Sequence, residues 1–174
     1  MKTEQTTIIT YKGSEMGYPV GRSMREALEY IDSVIPHLVK IIKDKRINIW
    51  CRGSSGAILS ALVAAKIPNN CEICHVKKEG EDSHLGNYFS RGELEGGINI
   101  IIDDFSCTGS TVHSIYEKMV TSTVDILILS RIHSDVHLQF LPKYIITAKV
   151  FEESAKNSLK TKQQENEEAN KISF

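Results

Sequence analysis

The chain has 174 residues, 41% of them hydrophobic and 25% charged, with a formal net charge of -1. That length supports one sizeable core and is short for two. Lys, Arg, Asp and Glu are interspersed, which argues against a nucleic-acid or membrane surface, and no apolar run approaches the roughly twenty residues that span a bilayer.

Expected partners are therefore small molecules or a second copy of the chain. Met1-Lys2-Thr3-Glu4-Gln5 lacks the apolar region of a signal peptide, so a cytoplasmic protein is expected. Ser23-Met24-Arg25-Glu26 has the form of a capping box, and Leu28, Ile31 and Ile35 carry an apolar stripe that Pro36 interrupts. A second helical stretch over Leu38 to Asp44 continues it after a bend. Ile47 to Cys51 reads as a strand, Ala57 to Ala65 as an Ala-rich helix and Cys71 to Lys77 as another strand.

Residues 77–92 form a long polar stretch, of a length that is usually functional or disordered inside a compact domain. Ile98 to Ile102 is a nearly continuous apolar run, suiting a strand buried on both faces as in a parallel sheet. A helix follows with Val112, Ile115, Tyr116, Met119 and Val120 on one side. Val124 to Leu129 and Tyr144 to Phe151 read as further strands, and 152–174 as a charged tail, either a solvated helix or frayed. Strands separated by helices in this order imply an α/β domain with a parallel β-sheet core flanked by helices, Rossmann-like in layout.

Two loops carry the chemistry. Asp103 and Asp104 close the apolar run at the edge where open α/β sheets bind ligands. Phe105, Ser106, Cys107, Thr108, Gly109, Ser110 and Thr111 then supply hydroxyls, backbone N–H groups and a tight turn at a helix start, which favours an anion. Paired acids would repel a bare phosphate, so the arrangement suits a ligand with vicinal hydroxyls on one side and a phosphate on the other, such as a ribose 5-phosphate. The same residues also read as a strand, turn and capped helix without a ligand, although two adjacent acids at a buried strand end would then be costly.

The second loop, Arg52-Gly53-Ser54-Ser55-Gly56, joins a strand end to a helix start and forms another anion cradle, with Arg52 supplying charge. No Gly-Lys-Ser/Thr follows, so it is not a P-loop, and it is one residue short of a G-x-S-x-G nucleophile elbow. The cysteines Cys51, Cys71, Cys74 and Cys107 lie mostly in apolar runs and are expected to be reduced. Cys71, Cys74 and His75 could be half a zinc site, but no second pair completes it.

The run Ile100 to Ile102, the acids Asp103 and Asp104, and Thr108-Gly109-Ser110-Thr111 together resemble the signature of the type I phosphoribosyltransferases. The resemblance implies one phosphoribosyltransferase-like domain over residues 1–174, with hood segments at 1–22 and 131–151. It implies a displacement at the anomeric carbon of phosphoribosyl pyrophosphate (PRPP) by a base nitrogen, giving pyrophosphate and a nucleotide, with Mg²⁺ carried by PRPP near Asp103 and Asp104 and no direct ligation by the protein expected.

Arg52, Gly53 and Ser54 would bind the pyrophosphate together with Lys77, Lys78 and Arg91, and the Arg52–Gly53 peptide is where the family's cis bond would lie. Lys78 and His84 would belong to a mobile catalytic loop, and a homodimer is usual for the family. Where orotate-type members carry a further lysine this chain has Glu81 or Asp82, so either Arg91 takes over the charge, the loop lies differently, or the activity is weakened. A PRPP- or nucleotide-binding regulator without turnover, and a generic α/β binding domain, are the rival readings.

Base-pocket candidates are Arg131, His133, Tyr144 and Phe151 at the carboxyl end and Tyr11 to Val20 at the amino end. Leu129-Ser130-Arg131 lacks the lysine that 6-oxopurine members place there, which points toward an orotate-like or other base.

Overall fold

The computed structural model describes residues 5–13, 19–78, 80, 96–119 and 123–172. In chain order the elements are β1 (Thr7–Tyr11), α1 (Pro19–Arg22), α2 (Met24–Ile42), β2 (Ile47–Arg52), α3 (Gly53–Lys66), β3 (Cys71–Val76), β4 (Ile98–Ser106), α4 (Ser110–Tyr116), β5 (Ile126–Ile132), β6 (Tyr144–Ala148), a 3₁₀ turn (Lys149–Phe151) and α5 (Glu152–Ile172). The strands make one sheet in the order β1-β6-β5-β4-β2-β3. Every pairing in it is parallel.

Alternate residues of each strand feed two cores, one on each face of the sheet. Ile47, Ile49, Ile100, Ile102 and Ile128 pack with Ile31, Val34 and Leu38 of α2 and Leu59 and Val63 of α3. Trp50, Ile101, Leu127 and Leu129 pack on the other side with Val112 and Ile115 of α4 and Ala155 and Leu159 of α5. Both faces are therefore covered, which is why β4 reads as an unbroken run of isoleucines instead of an alternating pattern.

Several expectations need correction. The two helical stretches on either side of Pro36 are one helix, α2, with Pro36 inside it. Pro36 is exposed, so the carbonyl of Asp32 that it leaves unbonded faces water, while Ala27, Ile31, Val34, Leu38 and Ile42 keep one buried stripe from end to end. Half of the expected capping box forms at its start: Ser23 Oγ accepts from the Glu26 N–H at 3.1 Å, while the Ser23 N–H donates to the Pro19 carbonyl at 3.4 Å and the Glu26 carboxylate lies 3.8 Å from Arg22.

Helix α3 begins at Gly53 rather than Ala57, absorbing most of the Arg52–Gly56 loop into its first turn. The last strand stops at Ala148, and Phe151 closes a 3₁₀ turn. Beyond it α5 is a helix, tied down at its start by buried Ala155, Ser158 and Leu159 and by the bond from the Leu138 N–H to the Ser158 carbonyl at 3.0 Å. Strand β1 was not anticipated; it falls inside the 1–22 segment and pairs residue for residue with β6.

No helix among the described residues is long and apolar enough to cross a membrane. Cys71 packs against the first core and Cys74 is buried in the second, on opposite faces of β3, so the Cys71-to-His75 segment cannot close on one metal ion.

Candidate functional site

The chain order reverses direction between β2 and β4: β2 leads outward to β3, whereas β4 leads through β5 toward β6 and β1. Such a switch point opens a crevice at the carboxyl ends of the two strands, because the helices that follow them leave toward opposite faces. A cleft of about 330 Å³ lies there, and it gathers both predicted loops. Arg52, Gly53, Ser54 and Ser55 form one wall, Asp103 to Thr111 the other, and Lys78 reaches in from beyond β3. Register explains the meeting, since Ile47–Trp50 of β2 pair directly with Ile98–Ile101 of β4.

The acids are buried, Asp103 being 7% and Asp104 4% exposed. Each folds onto the next amide: the Asp104 N–H donates to Asp103 Oδ1 at 2.9 Å, and the Phe105 N–H donates to Asp104 Oδ1 at 3.0 Å. Burial pushes the Asp103 carboxyl up to about 7, with the neighbouring Asp104 adding to the rise and the Asp104 N–H and Lys78 opposing it. Burial also raises Asp104, against hydrogen bonds that include one from the Ser55 side chain. Tyr30 of α2 supports the pair from behind, its hydroxyl donating to the Asp103 carbonyl at 3.3 Å.

The wall that runs on from the acids turns sharply at Gly109. Gly109 caps α4 with φ +81°, a left-handed conformation, and a Cβ there would lie 3.0 Å from His113 Cε1. Thr108 Oγ1 stands 3.1 Å from Ser110 Oγ, and the His133 N–H holds the end of β4 through the Ser106 carbonyl at 2.9 Å. Across the cleft no side chain caps α3, so its first amides lack a side-chain acceptor. Arg52, just before it, has a buried Nε without a partner among the described residues. An anion between the walls would answer both.

The expected cis bond is not found: the Arg52–Gly53 peptide is trans. Gly53, at φ +72°, makes the turn instead. Lys77 precedes Lys78 but does not line the cleft. His84, Arg91, Glu81 and Asp82 lie outside the described residues.

Arg131 and Phe151 stand together near the carboxyl edge of the sheet, the guanidinium 5.5 Å from the ring centroid, and neither lines the cleft. His133 pairs with Asp135 at 3.4 Å, also outside it. Tyr144 begins β6 in register with Thr7 and Ile126, which puts it at the amino edge of the sheet, away from the acids. A parallel strand can offer only one of its ends to the ligand edge, so the structure places Tyr144 at the opposite edge from the two loops. Tyr30 and Ser55 are additions; the signal for Tyr30 is only its place on the buried stripe of α2.

Solved structures with a similar fold include the hypoxanthine-guanine phosphoribosyltransferase of Bacillus anthracis (TM-score 0.50, 12% identity, covering 80% of this chain and 84% of that one). The adenine phosphoribosyltransferase of Saccharomyces cerevisiae matches at TM-score 0.54 and 18% identity over 75% of this chain and 82% of that one. The orotate phosphoribosyltransferase of Mycobacterium tuberculosis matches at 0.51 and 11% over 82% and 91%. The chain has the type I phosphoribosyltransferase fold. No family model and no curated protein sequence matches it. With identities this low, what is shared with these phosphoribosyltransferases is the fold: a parallel sheet with both faces covered.

Proposed function

We propose that the protein is a phosphoribosyltransferase that moves the 5-phosphoribosyl group of PRPP to a nucleobase and releases pyrophosphate. The observation that carries this reading is the meeting of the Arg52–Ser55 turn and the Asp103–Thr111 loop in one cleft at the switch point. One wall offers two carboxylates for ribose hydroxyls and the amides and hydroxyls of Thr108, Ser110 and Thr111 for the 5-phosphate. The other offers Arg52, Lys78 and the first turn of α3 for pyrophosphate.

In the reaction a ring nitrogen of the base forms a bond to the anomeric carbon as the carbon–oxygen bond to pyrophosphate breaks. Its electron pair leaves with pyrophosphate, and the nitrogen gives up its proton to solvent. Charge grows positive on the ribose and negative on the leaving group, so catalysis is positional and electrostatic. Asp103 and Asp104 hold the ribose side, and Arg52 and Lys78 take the departing charge. His84 and Arg91 belong to the same proposal.

The residues fit Mg²⁺. Two buried acids with raised proton affinity favour a cation beside them, yet among the described residues no third His, Cys, Asp or Glu joins them. That donor set suits an ion whose remaining ligands are oxygens of the substrate and water. When bound, Mg²⁺ would neutralise pyrophosphate and polarise it as a leaving group. A cytoplasmic homodimer completes the proposal.

Incubation with PRPP, Mg²⁺ and a panel of purines and pyrimidines, read by pyrophosphate release, tests it. Base-dependent release that disappears in Asp103→Asn/Asp104→Asn is expected. PRPP binding without release for any base would overturn transfer in favour of a regulator.

A further inference from the structure

His113 lies in α4, one turn beyond the loop that the proposed function assigns to the 5-phosphate, and it has no part in the reaction as described. Its ring stands between two segments. On one side is the Gly109 turn: a Cβ at Gly109 would lie 3.0 Å from His113 Cε1, 3.4 Å from its Nε2 and 3.3 Å from Val136 Cγ1, so the imidazole and Val136 together back that turn. On the other side is the connection from β5 to β6, where the Gln139 N–H donates to His113 Nε2 over 3.4 Å.

That connection is fastened to the loop and to α4 along its length. The His133 N–H donates to the Ser106 carbonyl at 2.9 Å, where the loop begins. Val136 is buried against the Gly109 turn, and Phe140 stacks on Tyr116 of α4 with ring centroids 4.6 Å apart. Among these contacts the one at His113 depends on a proton. An imidazole nitrogen accepts a hydrogen bond only while it keeps its lone pair, and a protonated ring donates from both nitrogens. Protonated, His113 would set an N–H against the Gln139 N–H, beside the turn it supports.

The surroundings favour the neutral ring. Burial lowers the His113 pKa, against the backbone of His137 and the Glu117 carboxylate, which favour the cation. Glu117 is the charge that faces the ring from α4 itself. On the β5–β6 connection His133 and Asp135 pair with each other at 3.4 Å, and residues 105–111 carry no charged side chain.

We infer that His113 is a positioning residue for the phosphate-binding loop: as a neutral imidazole carrying its proton on Nδ1 it holds the Gly109 turn against the β5–β6 connection, and protonation releases that turn and weakens binding of the 5-phosphate. The inference rests on the transferase reading for its ligand, while the fastening stands on the contacts of His113 with Gly109 and Gln139. Its sign is fixed: the neutral form holds the loop, so affinity is present above the His113 pKa and lost as pH falls through it.

The test is calorimetric titration of the whole chain with ribose 5-phosphate from about pH 7.5 to about pH 4.5, beside ¹⁵N NMR of the imidazole rings. His113→Ala should bind about tenfold more weakly than wild type at the upper pH, and His113→Gln, whose amide oxygen accepts from Gln139 without titrating, should recover most of that loss. Asp103 and the ligand's own phosphate also titrate in this range, alike in wild type and His113→Gln, so the ratio of the two isolates His113. Wild type should lose about fivefold more affinity than His113→Gln on going to the lower pH. Glu117→Gln, which removes a charge that favours the cation, should move that loss to lower pH. Parallel profiles for wild type and His113→Gln, or a His113→Ala variant that binds like wild type, would overturn the inference. The ¹⁵N spectrum should show the Nδ1–H tautomer of His113 at the upper pH, and an Nε2–H tautomer would overturn it independently of any ligand. That tautomer without ribose 5-phosphate binding in any of these proteins would sink the transferase reading and leave the fastening in place.

Discussion

The Tyr30 hydroxyl donates to the backbone carbonyl of Asp103 at 3.3 Å, bridging residues 73 apart in the chain. It ties the helix in front of the sheet to the strand end that carries both acids. Tyr30→Phe leaves a buried carbonyl without its donor, at a cost of about 1 kcal/mol, and loosens the acid pair. Thermal melts should show a lower midpoint, and PRPP affinity should fall several-fold, more than the loss of stability alone would produce.

Asp103 carries a proton more readily in the folded state than in the unfolded chain, with its carboxyl near 7 against an ordinary value of 3.8. The folded state therefore binds more protons, and stability falls as pH rises from about 4 through 7. Asp103→Asn removes that cost. Urea unfolding should find the variant near wild type at pH 4 and more stable at pH 8, by about 4 kcal/mol at most, while pyrophosphate release is lost. Equal stability at both pH values would contradict a raised carboxyl.

Gly109→Ala should be costly despite its size. The residue sits at φ +81°, and the new Cβ would press on His113 at 3.0 Å and Val136 Cγ1 at 3.3 Å. A loss of about 1–2 kcal/mol in unfolding free energy is expected, with weakened binding of ribose 5-phosphate.

Arg52 is the test of the second wall. Its Nε is buried and unpartnered among the described residues, so pyrophosphate with Mg²⁺ should raise the melting temperature of the wild-type protein. Arg52→Ala should bind pyrophosphate at least tenfold more weakly. Ribose 5-phosphate, which the proposed function assigns to the opposite wall, should bind it almost as before.

Much of the cleft was legible because both loops announce themselves locally. Small and hydroxyl residues follow a strand, and in β4 the acids follow isoleucines buried on both faces. The register that puts Arg52 and Asp103 beside one crevice is long-range, and only the resemblance to the type I phosphoribosyltransferases anticipated it; the order of strands and helices did not. What escaped was of another kind. Thr7–Tyr11 has no distinctive alternation and becomes a strand only because β6 offers it a free edge. Pro36 reads as a helix break, and the buried stripe around it outweighs one missing hydrogen bond. Tyr144 looked like a base contact because aromatic residues suit such pockets, but which end of a strand it occupies is decided by register with Ile126 and Thr7, and no local pattern encodes that.

The direct pairing of β2 with β4 also bears on how the molecule assembles. Ile47 meets Ile98, so β3 and everything else between these strands must be bypassed before the two walls face each other. Closing so long a loop is slow, and helix formation on either side cannot hasten it. Neither half of the chain holds both walls of the switch-point cleft. Ligand binding during refolding should appear late, after helical signal has recovered, and ribose phosphate added to the refolding mixture should slow unfolding far more than it speeds folding.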